Sequence, residues 1–221
     1  LLNDNAEVEA YIAEARFLRA FAYFNLMDLF GSVPLVTVVS TDLPEQSTRT
    51  EIFNFVEGEL LEIQNTLKES GANEYGRVDR VAAWALLSKL YLNAEVWTGT
   101  ERYTDAITYA EMAINSSYSI NTTDANGNGS AYDELFLADN NSNGAQNEFI
   151  FALNFDGNNS RTYGGTTFLV HAAIGGSMDA FNFGVNGGWS GLRTTKALVN
   201  KFDASVTDSD DEGNPIAWSD T

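Results

Sequence analysis

The chain has 221 residues, 44% of them hydrophobic, enough for a real core in one large domain or two small ones. Its 31 acidic residues outnumber 12 basic ones, and the resulting formal charge of −19 is scattered along the chain, so a phosphate backbone would be repelled over most of the surface and nucleic acid is a poor partner. With no cysteine and one histidine, thiol catalysis, disulfides, cysteine-ligated zinc and multi-histidine metal sites are all excluded.

No apolar run approaches the roughly 18–20 residues that cross a bilayer, and no basic segment followed by an apolar one opens the chain. Leu1 stands just ahead of a helical pattern and Asp220-Thr221 ends an open polar stretch, which reads as an internal piece of a longer protein. The first helix is predicted from about Ala6 to Phe30, stopped by Gly31 and Pro34. A second, about Glu51 to Ser70, opens with Thr48-x-x-Glu51, a capping box, and buries Ile52, Phe55, Val56, Leu60 and Leu67. The third, about Asp79 to Val96, is the run "VAAWALLSKLYLNAEVW", in which Trp84 and Trp97 read as core. The fourth, about Tyr103 to Ser116, carries a stripe of small residues with Ala106, Ala110 and Ala113, which would let it pair with the third as an antiparallel hairpin around Thr98-Gly99-Thr100.

Near residue 120 the helical period breaks down and Gly, Asn, Ser and Thr accumulate. The expected fold is therefore mainly α. Residues 1–120 form tetratricopeptide-like helical hairpins without a strict 34-residue period, and residues 121–221 a loop-rich, partly β second half of the same domain. One strand is expected, "EFIFALNF" from Glu148 to Phe155, where Phe149, Phe151, Leu153 and Phe155 alternate. A long glycine-rich loop, Asp156 to Arg193, then leads to a short helix at about Thr195 to Phe202.

At 100° per residue the first helix has two polar stripes and two apolar ones. One apolar stripe is Ala13, Phe17, Ala20, Phe24 and Met27; the other is Ala15, Leu18, Ala22, Leu26 and Leu29. Two apolar faces imply a helix wedged between neighbours on both sides. Arg16 and Arg19 share one polar side and Glu14 lies on the other. Half-buried guanidinia need carboxylates, so these three residues read as a structural ion-pair network; arginines awaiting an anionic ligand are the alternative.

The same helix carries a resemblance. "EARFLRAFAYFNLMDLFGSVPLV" resembles the segment E-A-R-x-L-R-A-x-x-Y-x-x-L-x-x-x-[FY]-G-x-V-P-L-[VI] of the SusD/RagB family, filled here by Glu14, Ala15, Arg16, Leu18, Arg19, Ala20, Tyr23, Leu26, Phe30, Gly31, Val33, Pro34, Leu35 and Val36. In order along the chain, "RVDRVAAWALLSKLYLNAEVW", "YTDAITYAEMAINSSYSI", "NEFIFALNF" and "NGGWSGLRTTKALVNKFD" are similar to later segments of that family. The resemblance implies a tetratricopeptide-like fold without catalytic activity. It also implies a surface lipoprotein of Bacteroidetes outer membranes that binds glycans for nutrient uptake as the lid of a SusC-type TonB-dependent transporter. Its lipid anchor, on the extracellular face, and its C-terminal part would lie outside these 221 residues.

Sugar rings are held by flat aromatic faces, with amide, imidazole and guanidinium groups around them for the hydroxyls. The long loop supplies Trp189, Tyr163, Phe183, Asn182, Asn186, His171 and Arg193 as glycan-binding candidates. Trp189, set among glycines in "NGGWSG", leads them, the alternative being a tryptophan that pins the loop to the helices. "DANGNGSAYDEL" begins like a calcium loop, with Asp124, Asn126 and Asn128 at the first, third and fifth positions and Gly129 next. Its twelfth position is Leu135 instead of a bidentate glutamate, so a polar turn competes with Ca2+ binding. "DSDDEGN" reads as solvated loop. No phosphate loop, nucleophile elbow or HExxH is present, so no enzyme motif is found. Two further readings stay open: a helical scaffold that binds only its transporter, and an α-helical glycoside hydrolase built on two carboxylates.

Overall fold

The structure is a computed structural model that describes residues 6–155, 159–160, 163 and 165–199. It divides into two compact units, Leu1–Leu153 and Asn154–Thr221. The compositional change near residue 120 lies inside the first.

The first unit is built on helices α1 (Ala6–Phe30), α2 (Arg49–Ile63), α3 (Arg80–Leu92), α4 (Ala94–Thr98) and α5 (Tyr103–Ile114). Arg16 meets Glu59 and Glu62 while Tyr23 meets Phe55, so α1 and α2 run antiparallel. Trp84 reaches Gln64 and Tyr91 reaches Glu57, which makes α2 and α3 antiparallel too. Ser88 bonds to the Ala106 carbonyl and Arg102 lies over the Tyr91 ring, closing α3 and α5 into the expected hairpin. Strands β1 (Val33–Pro34) and β2 (Gln46–Ser47) pair antiparallel and tie off the α1–α2 connection.

The predicted boundaries need three adjustments. Thr48 and Glu51 form the capping box, but α2 starts at Arg49 and ends at Ile63, after which turns carry Leu67 into the core. The third predicted helix breaks at Asn93, whose side-chain amide bonds back to the Lys89 carbonyl at 2.9 Å and competes with the helix ladder. α4 then stops at Gly99, which adopts a left-handed φ of 77° that only glycine takes without strain.

The core is one cluster that includes Phe17, Met27, Ile52, Val56, Leu60, Leu87, Leu90 and Trp97. Phe24 stacks its edge against Trp97, which is buried as expected, whereas Trp84 is half-buried. Of the two apolar faces of α1 only one is covered: Ala13, Phe17, Ala20 and Met27 are buried, with Phe24 partly so. Ala15, Leu18, Ala22, Leu26 and Leu29 are exposed, contrary to a helix wedged on both sides, because α2 and α3 both pack on the Phe17 side.

Residues Glu148 to Phe155 do not form the predicted strand. The stretch pairs with no other segment among the described residues, and its alternation instead sends Phe151 edge-on against Phe17 and Phe21 at 5.5 and 6.1 Å. Alternating side chains need only an extended backbone, while a strand needs a ladder partner. Among the described residues the second half is therefore loop-rich but not β.

In the second unit, the predicted loop from Asp156 to Arg193 contains helix α6 (Gly165–Ala173) and a 3-10 turn at Ala180–Phe183. Helix α7 (Lys196–Val199) follows, with Thr195 at its start, and the rest of that predicted helix falls outside the described residues, as does "DSDDEGN".

Candidate functional site

The site grows from α6. Its apolar run "TTFLVHAAI" is bounded by glycines, and Ala172 and Ile174 are almost completely buried. Against the end of this helix runs the segment 187–192. It is fixed by four main-chain bonds: Trp189 N to His171 O at 2.7 Å, Ser190 N to Ile174 O at 2.9 Å, and Gly191 and Leu192 N to Ala172 O at 2.9 and 2.8 Å. Such close approach explains two of the glycines. A Cβ at Gly188 would collide with the Ile174 carbonyl, and one at Gly175 with Ser190, which itself holds a positive φ of 55°.

This clasp holds Trp189 parallel to His171, with ring centroids 4.7 Å apart and planes at 22°. Tyr163 stands 6.4 Å from the same indole at 46°. His171 Nδ1 lies 2.7 Å from the Gly187 carbonyl, which can only accept; Nδ1 therefore carries the proton, and a neutral ring keeps Nε2 as an acceptor. Trp189 remains 44% exposed and Tyr163 84% exposed. The loop is thus anchored by its backbone while aromatic faces stay open. That combination offers rigid apolar planes with a polar edge, which suits the C–H faces and hydroxyls of a sugar.

Three of the seven sequence candidates, Tyr163, His171 and Trp189, are brought together. Asn182 and Phe183 sit exposed on the 3-10 turn that Asp179 caps, with Asn186 just beyond it. Arg193 turns its Nη1 to the Leu192 carbonyl at 2.8 Å. No hydrogen bond or ring-stacking contact among the described residues joins these four to the indole. The bend that sets His171 under Trp189 was not foreseen; the glycine pairs on either side of a nine-residue apolar run were its one signal in sequence.

The arginines of α1 have internal partners. Arg16 grips Glu59 through Nε at 3.2 Å and Nη2 at 2.7 Å and reaches Glu62 at 2.5 Å; Arg19 meets Glu59 at 2.6 Å. Burial pushes the Glu59 carboxyl up, but the hydrogen bonds from Arg16 and Arg19 outweigh it and hold the group below the usual carboxylate range. Glu14 belongs to a separate pair: Arg77 donates to both its oxygens, at 2.6 and 3.1 Å, and Asn73 adds a third bond at 3.1 Å. The expected single network is therefore two clusters, on the two polar sides of the helix.

In the Asn-Gly loop, Asp124 accepts from the amides of Gly127, Asn128 and Gly129 at 2.7, 3.2 and 2.9 Å. Asn126 and Asn128 donate to Asp133, and Glu134, buried, takes the Asn126 amide at 2.8 Å. The carboxylates are directed at the loop's own donors, as in a self-supporting polar turn. Among the described residues no group of three or more His, Cys, Asp or Glu side chains is arranged to hold a metal ion.

A family profile described as "Starch-binding associating with outer membrane" matches residues 2–92. The chain is 38% identical to the starch-binding protein SusD of Bacteroides thetaiotaomicron over 205 residues, 92% of this chain and 35% of the relative. Among solved structures, a SusD-like protein from Bacteroides fragilis aligns with a TM-score of 0.56 at 25% identity, covering 70% of this chain and 29% of that one. A second SusD superfamily protein from the same species aligns with a TM-score of 0.57 at 23% identity, over 73% and 33%, and shares the fold. The chain thus spans about a third of the length of that curated relative.

Proposed function

Because the chain belongs to the SusD-like family, described as starch-binding and associated with the outer membrane, we propose that it is the part of a non-catalytic glycan-binding protein that presents oligosaccharide to a SusC-type TonB-dependent transporter at the cell surface. Trp189 carries the reading: a tryptophan clasped by main-chain bonds, backed by His171 and flanked by Tyr163, yet left open on one side. A sugar ring stacks on the indole, and its hydroxyls reach His171 Nε2. With Arg16 and Arg19 both paired to glutamates and a chain charge of −19, a neutral polysaccharide suits the protein better than an acidic one.

The similar SusD protein is starch-binding, so maltoheptaose is the first probe. Calorimetric titration, which does not need the indole as its reporter, should show saturable binding, weakened about tenfold or more by Trp189→Ala, roughly the loss of one stacking interaction. No reducing ends should be released on long incubation. Binding that is indifferent to the substitution removes Trp189 from the site, and release of reducing sugar by pure protein replaces the reading with a hydrolase.

A further inference from the structure

The helical unit has a concave surface of its own. A cleft of about 340 Å³ lies between the α2–α3 connection and the segment 146–152, which begins in a 3-10 turn at Ala145–Asn147, within the size range of small-ligand sites, roughly 300–1,000 Å³. Tyr75 stands on one wall, 41% exposed, and its hydroxyl has no partner among the described residues. Phe149 stands on the other, half-buried.

The polar groups between them are only partly used. Gln146 accepts from the Gly144 amide at 2.8 Å, which leaves its own amide nitrogen unpaired among the described residues. Asn147 donates to the Gly144 carbonyl at 3.1 Å and keeps its side-chain oxygen. The main-chain N–H and C=O groups of residues 149–152 likewise make no hydrogen bond among the described residues. Half-covered donors and acceptors of this kind gain from a ligand that carries both.

Charge narrows the class of that ligand. Arg77 lines the cleft, but both oxygens of Glu14 hold it, while Glu74 contributes a carboxylate without a hydrogen-bonding partner among the described residues. An anion would therefore meet no free cation and one free negative charge. A purely apolar ligand would strand the amides and the exposed main chain. What fits is neutral, rich in hydroxyls and flat-faced enough to lie against Tyr75.

We propose that this cleft is a second oligosaccharide subsite, in a different unit from the Trp189 cluster; the inference rests on the glycan-binding reading above. In a full-length chain with two subsites, calorimetric titration with maltoheptaose gives two binding events. Tryptophan fluorescence reports the one at Trp189, since no tryptophan among the described residues lines the cleft. Tyr75→Ala weakens one event about tenfold and leaves the fluorescence titration intact, whereas Tyr75→Phe, which keeps the ring, retains both events. Gln146→Ala provides a second variant that weakens the same event should Tyr75→Ala fold poorly. A single event that Trp189→Ala removes and that neither Tyr75→Ala nor Gln146→Ala changes overturns the second subsite while the glycan-binding reading stands. Absence of heat and of fluorescence change in the unaltered protein defeats both.

Discussion

Replacing Asp79 by alanine should cost the helical unit about 3–5 kcal/mol, and the figure follows from the bonds its fully buried carboxylate accepts. Oδ1 caps α3 by accepting from the Val81 and Ala82 amides at 2.9 and 3.4 Å. Oδ2 takes the Gly71 amide and the Tyr118 hydroxyl, both at 2.8 Å, and so joins the start of α3 to the preceding turn and to the segment after α5. Loss of the cap costs about 1 kcal/mol. Leaving the Gly71 N–H and the Tyr118 O–H without an acceptor adds about 1–3 kcal/mol for each, with the half-buried tyrosine at the lower end because water can reach it. Asp79→Asn separates the two contributions. It keeps the capping oxygen, turns an NH2 toward Gly71 N–H and lets the Tyr118 hydroxyl rotate to accept, so its cost falls to about 1–2 kcal/mol. Urea unfolding followed by far-UV circular dichroism measures both. The reasoning fails if alanine costs less than about 1 kcal/mol, or if asparagine costs as much as alanine.

Glu59→Gln should cost about 1–2 kcal/mol at neutral pH, a modest figure because Arg16 and Arg19 have side chains 29% and 36% exposed. The folded carboxyl titrates below the unfolded value of about 4.3, so this stability is present above that pH and is lost as pH falls through the folded value. The gap between wild type and variant therefore narrows on acidification below about pH 4.3, and a gap that stays constant down to pH 3 contradicts the assignment. Gly188→Ala drives a Cβ into the Ile174 carbonyl and must displace the segment that carries Trp189; maltoheptaose binding should fall about tenfold with far-UV circular dichroism unchanged, and unaltered affinity would show the clasp to be irrelevant. EDTA should leave the thermal midpoint in place, because Asp124 already satisfies three loop amides; a drop of several degrees on chelation would make the Asn-Gly loop a cation site.

What could be read from sequence divides along a physical line. Features encoded by neighbours in the chain came through: the Thr48/Glu51 capping box, Asp79 at the start of a helix, and the buried stripe of α1 from Ala13 to Met27. Each depends on a spacing of three or four residues, which sequence states directly. Features that need a partner from far away did not. Glu14 and Arg16 are two positions apart, yet they are answered by Arg77 and by Glu59, and only the packing of α1 against both the α2–α3 connection and α2 itself decides which. Alternation along Glu148 to Phe155 fixed where Phe151 points but could not supply the strand beside it. The same limit governs the outer face of α1: apolar residues at Leu18, Leu26 and Leu29 mark a surface that can be buried, while burial itself requires a neighbour that the described residues do not contain. At Trp189 the local and distant contributions meet. Glycines on both sides made the exposed indole foreseeable, but its work as a platform depends on His171, eighteen positions earlier and reached only because α6 ends where the returning chain can bond to it. A site assembled in this way should be more sensitive to Gly188 than to most of the polar residues around it, since amides and charges at the rim can be exchanged for water while a closed approach between two backbones cannot.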